Sequence, residues 1–150
     1  MRLTGRVAIV TGAGSGIGQA IAVRLAAEGA AVVAVGQTPA RLEHTVERIT
    51  TNGGSAHAVP CNVAESEQVQ RMVRAAVDRH HRVDILVNNA AKNRPDEPVV
   101  ERAAEMAEAW WSATLDVNVV GAFRPLAAFP ARSCLFFKLD LLGFSCLLVP

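Results

Sequence analysis

The chain has 150 residues, a formal net charge of +1, 51% hydrophobic residues and 19% charged ones. That length suits one globular domain with a real core, and the balanced charge argues against both disorder and a nucleic-acid partner. Cys61, Cys134 and Cys146 lack metal-ligand spacing, so no metal site is expected and the thiols read as free in a reducing cytoplasm. The apolar run that follows Arg6 is too short for a signal peptide, and no stretch reaches the roughly 18 uninterrupted apolar residues of a membrane span. Tyrosine is absent, and all seven aromatic residues lie between Trp110 and Phe144.

Val7–Val10 is a short apolar run ending at Thr11-Gly12, which predicts a strand buried on both faces. A helix follows from Gly16, with Ile17, Ile21 and Leu25 as its apolar stripe and Glu28-Gly29 as its end. Ala31–Val35 is a second buried strand, and Pro39 opens a helix carrying Leu42, Val46 and Ile49. Ala56–Val59 predicts a third strand. Val69, Met72, Val73, Ala76 and Val77 then mark a one-sided helix, whose end carries His80, His81 and Arg82 as a solvated, dipole-compatible terminus. Asp84–Val87 is a fourth strand, with Asn88-Asn89 at its carboxyl end. A polar loop, 92–98, leads to a last helix over 101–123, with Ala104, Ala107, Trp111, Leu115 and Val119 as its apolar face. Past Pro125 the pattern is lost. Residues 135–149 read as a buried strand, a helix or an exposed apolar tail.

The alternation of strands and helices is that of a doubly wound α/β sheet with parallel strands. Thr11-Gly12-Ala13-Gly14-Ser15-Gly16-Ile17-Gly18 falls between the first strand and the first helix. Glycines there serve a tight turn, a close backbone approach to a pyrophosphate and close helix–strand packing, while the helix start attracts anions.

Four motifs in order give the chain its resemblance to the short-chain dehydrogenases/reductases. They are Thr11 to Gly18; Cys61-Asn62-Val63 after the third strand; Asp84-Ile-Leu-Val-Asn-Asn-Ala-Ala91; and Trp111 followed by Asp116-Val-Asn118-Val-Val-Gly121. The resemblance implies a Rossmann-like sheet in the order 3-2-1-4 with helices on both faces, in a dinucleotide-binding region over 1–125. It also implies NAD or NADP held by Thr11, Gly12, Ser15, Gly16, Ile17, Gly18, Gln37, Asn62, Val63, Asn89 and Ala90, and Asn118 as the family's catalytic asparagine. The activity implied is hydride transfer between the nicotinamide and an unidentified alcohol or carbonyl substrate.

The departures shape what is expected. Asn62 stands where the family has aspartate, and Ala91 where it has glycine. Gly36-Gln37-Thr38 offers neither a carboxylate to repel a 2′-phosphate nor a cation beyond Arg41 to hold one, so NADP is only slightly favoured. The family's serine and its Tyr-x-x-x-Lys have no placeable equivalents. Cys134-x-x-x-Lys138 is a coincidence of spacing, since 16 residues after Asn118 leave no room for the intervening strand. Residues 126–150 are therefore expected to be an irregular apolar tail, and the fold to be a truncated one whose exposed fourth strand leads to oligomers or aggregation. Three functional readings stay open: an oxidoreductase whose catalytic half is missing, a non-catalytic dinucleotide- or partner-binding module, and a non-functional frameshifted product.

Overall fold

The computed structural model describes residues 1–91, 108–128, 134–140 and 143–149, the last two segments as backbone strands. Its elements are β1 (Val7–Thr11), α1 (Gly16–Ala27), β2 (Ala31–Gly36), α2 (Pro39–Thr51), β3 (Ser55–Pro60), α3 (Ser66–His80) and β4 (Ile85–Asn88). They continue with α4 (Glu108–Leu115), a π-helical turn (Asp116–Val120), α5 (Gly121–Ala128), β5 (Cys134–Asp140) and β6 (Gly143–Val149). The sheet order is β3-β2-β1-β4-β5-β6. β1, β2, β3 and β4 are mutually parallel in the expected 3-2-1-4 order, β5 is parallel to β4, and β6 is antiparallel to β5.

Strand alternation divides the core between the two faces of the sheet. Val7 and Ile9 of β1, with Val33, Val35 and Leu86, meet Val69, Met72, Val73 and Ala76 of α3 and Val117 of the π turn. Ala8 and Val10, with Val32, Ala34, Ile85 and Val87, meet Ala22 and Ala26 of α1 and Leu42 and Ile49 of α2. Both faces are thus covered, which is why the central strands read as continuous apolar runs.

The structure corrects several expectations. In α1 the buried face is Gly18, Ala22 and Ala26, whereas Ile17 is 61% exposed. Small side chains let this helix approach the sheet closely, and the larger Ile21 and Leu25 pack only at its flank. The helix expected to run on to residue 123 is interrupted by the π turn, and the apolar face expected to turn inward already faces outward in α4, before that turn. Val117, Gly121 and Pro125 are buried, while Trp111, Leu115, Val119 and Phe123 are exposed. The loop 92–98, Ala104 and Ala107 lie outside the described residues. Within 126–150, expected to be irregular, β5 and β6 extend the sheet, and β5 occupies the flank of β4 that was expected to be open. His80 is not simply solvated: its ring lies 5.2 Å from that of His57, centroid to centroid.

Candidate functional site

All the carboxyl ends of the parallel strands point to one edge of the sheet, and the first crossover there is the glycine-rich turn after β1. Gly12 takes φ +67°, and a Cβ on it would lie 2.7 Å from Asn89 Nδ2 and 3.0 Å from the Ala90 backbone. Gly18 has an ordinary φ but no room, since a Cβ would overlap the Gly12 carbonyl and the Asn89 amide, reaching 2.8 Å from the Gly12 carbonyl carbon. Helix α1 therefore rests directly on the turn that precedes it. Gly16, at φ +53°, faces open space.

Thr11 joins the turn to the end of β4. Its buried hydroxyl donates to the Val87 carbonyl (3.2 Å) and accepts from the N–H groups of Asn89 and Ala90 (3.0 Å each). Asn89 returns the contact by donating from Nδ2 to the Thr11 carbonyl (3.1 Å) and more weakly to that of Gly12 (3.4 Å). These bonds hold the turn against β4 and leave the start of α1 facing outward. Ser15 precedes that helix without a side-chain capping bond, and no acidic residue occupies its first turn. An uncapped, positively polarised helix end of this kind can receive an anion.

A cavity of about 460 Å³ opens beside this turn, lined by Gly12, Gly36, Gln37, Cys61, Asn62, Val63, Ala90 and Ala91, with Ala113, Asp116 and Val117 among the residues on its far side. Gln37 donates to Asn62 Oδ1 at 3.4 Å, and the same oxygen accepts from the Ala64 N–H at 3.1 Å. An asparagine thus shapes this corner through the short side-chain–backbone loop that favours such residues in turns. Burial pushes the Cys61 thiol up to about 11 despite the opposing charge of Arg71, so this wall of the cavity is chemically inert.

The residues predicted from the sequence fall into four groups. Gly12, Gln37, Asn62, Val63 and Ala90 line the cavity. Thr11, Gly18 and Asn89 build the turn behind it, and Ser15, Gly16 and Ile17 stand exposed at its tip. Asn118 lies in the π turn next to Val117, which lines the cavity, but is not itself part of the lining. Arg124 was missed by the sequence reading. It donates to Asp116 Oδ1 (2.7 Å) and to the Val63 carbonyl (3.3 Å), tying the π turn to the Asn62–Val63 corner. Thr45 was also missed, although a threonine between Leu42 and Ile49 on the buried face of α2 was a visible signal.

A family model described as short chain dehydrogenase matches residues 6–131. The chain is 44% identical over 118 residues to the short-chain reductase protein NovJ of Streptomyces niveus, covering 79% of this chain and 43% of NovJ. It is 40% identical over 122 residues to a 3-oxoacyl-[acyl-carrier-protein] reductase of Synechocystis, covering 81% of this chain and 47% of that protein. A short-chain dehydrogenase/reductase homolog of Bacillus subtilis, YusS, is 43% identical over 95 residues, which are 63% of this chain and 87% of YusS. Among solved structures, a metagenomic short-chain oxidoreductase in complex with NADP superposes with a TM-score of 0.78 at 34% identity, over 86% of this chain and 57% of that one. Hydroxysteroid dehydrogenase from Escherichia coli gives 0.76 at 32% identity, over 85% and 52%. The chain spans about half the length of NovJ and the Synechocystis reductase. With its Rossmann-like sheet, its glycine-rich turn and a family match over most of its length, the chain belongs to the short-chain dehydrogenase family of NAD(P)-binding oxidoreductases.

Proposed function

We propose that residues 1–125 form a dinucleotide-binding unit that takes NADP in preference to NAD. Thr11, Gly12, Ser15, Gly16, Ile17 and Gly18 would hold the pyrophosphate, Gln37, Asn62 and Val63 the adenosine end, and Asn89 and Ala90 the stretch leading toward the nicotinamide. The observation that carries the reading is the direct seating of Gly18 on Gly12 beside an open helix start and a cavity of about 460 Å³. A dinucleotide bound there supplies a hydride donor or acceptor for an alcohol or carbonyl substrate. The preference for NADP rests on Arg41, whose Cβ lies 3.1 Å from where a Cβ on Gly14 would be, and on the lack of a carboxylate in Gly36-Gln37-Thr38. Calorimetry should show tighter binding of NADP than of NAD, a difference that Arg41→Ala removes, and loss of both in Gly16→Val. No binding by a folded chain would defeat the reading.

Asn118 is the residue proposed to stand at the family's asparagine position. Reduction of a ketone requires a proton for the developing alkoxide, and a positioned general acid typically contributes roughly 10²–10⁴-fold. The family's donor is a tyrosine, and these 150 residues contain none. The chain by itself is therefore expected to bind the dinucleotide without turning over alcohols or ketones, which NAD(P)H absorbance against a substrate panel measures directly. Turnover that persists through purification and disappears in Asn118→Ala would reverse this conclusion. Self-association is also proposed, because Trp111, Leu115, Val119 and Phe123 present an exposed apolar stripe. A monodisperse monomer by light scattering would refute it.

A further inference from the structure

The turn after β1 is also held from a side that no motif of the sequence marks. Ala13, at its centre, is fully buried, and its N–H donates to the Val35 carbonyl at 2.9 Å. Its carbonyl accepts from the hydroxyl of Thr45, likewise fully buried, at 2.9 Å. The Thr45 oxygen in turn accepts from Gln19 Nε2 at 2.9 Å, and Gln19 Oε1 accepts from Arg48 Nη1 at 2.6 Å. Every bond in this run has the same polarity, from the Arg48 cation through Gln19 and Thr45 to the turn. The amide of Gln19 occupies the acceptor side of the Thr45 hydroxyl, and its single proton is left to point at Ala13 or, less closely, at the Arg41 carbonyl (3.1 Å).

A trans peptide holds its C=O and the following N–H antiparallel. With the Ala13 carbonyl anchored toward α2, the N–H of Gly14 is directed away from α2. We propose that Thr45 is a positioning residue for the pyrophosphate: it orients the Ala13–Gly14 peptide, and Gln19 and Arg48 fix the direction of its hydroxyl. The inference rests on the dinucleotide reading above. Gln37 and Asn62, at the adenosine end, bond to each other and not to this run.

Thr45→Val keeps the shape of the side chain and removes the donor. The full chain, its Thr45→Val and Thr45→Ser forms and Arg48→Met are titrated with ADP-ribose by calorimetry and with adenosine by saturation-transfer NMR. Thr45→Val should weaken ADP-ribose about tenfold, the effect of one unsatisfied buried group. Adenosine should change less than about twofold, and Thr45→Ser should restore ADP-ribose binding. Equal losses for the two ligands would mean general damage to the fold and would overturn the proposal, as would unchanged ADP-ribose affinity. If Thr45→Val does not fold, Arg48→Met probes the run from its exposed end. A loss of about threefold confined to ADP-ribose supports the proposal, and no loss overturns it. Failure of the wild-type chain to bind ADP-ribose would instead remove the dinucleotide reading, and this inference with it.

Discussion

Replacing Gly18 with alanine separates two reasons for a glycine that a sequence motif cannot tell apart. The added Cβ would lie 2.8 Å from the Gly12 carbonyl carbon, where nonbonded carbons normally keep about 3.5–4.0 Å. Both neighbours are backbone or tightly held, because Asn89 Nδ2 is engaged with the Thr11 carbonyl at 3.1 Å. The turn or the helix must therefore shift by most of an ångström. Overpacking of this kind costs about 1–3 kcal/mol, and a weakened Asn89 bond adds about 1 kcal/mol. Alanine returns up to about 1 kcal/mol through its better helix propensity. The net expectation is a loss of about 2 kcal/mol, or a fall in Tm of about 4–8 °C at roughly 2–4 °C per kcal/mol for a chain of this size. Gly16→Ala is the control. Its Cβ meets nothing within 4 Å, so only the φ of +53° opposes it, at about 1–2 kcal/mol. Gly16→Asn, which tolerates that conformation, should be milder still. Thermal unfolding followed by circular dichroism reads all three. If Gly18→Ala unfolds within about 1 °C of wild type, or Gly16→Ala proves the more damaging, α1 is not seated on the turn as described.

Three further predictions concern titration and reactivity. Burial, with Arg79 and His80, lowers the His57 imidazole from 6.5 to about 4. Between those values the unfolded chain binds more protons than the folded one, so the urea midpoint should fall as pH drops from 6.5 to 4 and level off above, and His57→Leu should flatten the slope. Asp84 behaves differently. Burial alone would raise its carboxyl, but hydrogen bonds from Arg82, Arg6 and the Val7 N–H prevail and hold it below the usual range. Its contribution is complete above the ordinary carboxylate pKa and is lost as pH falls through the depressed one, and Asp84→Asn should cost about 1–2 kcal/mol by urea denaturation at pH 7. Cys61, pushed by burial up to about 11, should alkylate with iodoacetamide at neutral pH about two orders of magnitude more slowly than an exposed thiol, as read by mass spectrometry of its peptide.

The sequence determined the elements whose signal is local. The runs 7–10 and 31–35 are apolar without alternation because both faces of those strands are covered, and the stripe from Val69 to Val77 is the buried face of α3. The turn from Thr11 to Gly18 was legible because glycine is the one residue whose backbone freedom and missing side chain are visible in the letters themselves. The inward face of α1 was misread because periodicity rewards large side chains, whereas the sheet accepts this helix only through Gly18, Ala22 and Ala26. The face of the helix carrying Asn118 was misread for another reason. Trp111 and Leu115 are already exposed before the π turn begins, because periodicity marks an apolar stripe without showing whether the sheet covers it. The insertion at Asp116–Val120 then changes the phase of the residues that follow. Only the tertiary structure brings Thr45 to the carbonyl of Ala13, 32 residues earlier, and Arg124 to that of Val63, 61 residues earlier. These bonds exist because the sheet sets α2 and α5 against particular turns, and a hydrogen bond between distant segments leaves no period in the sequence from which it could be read.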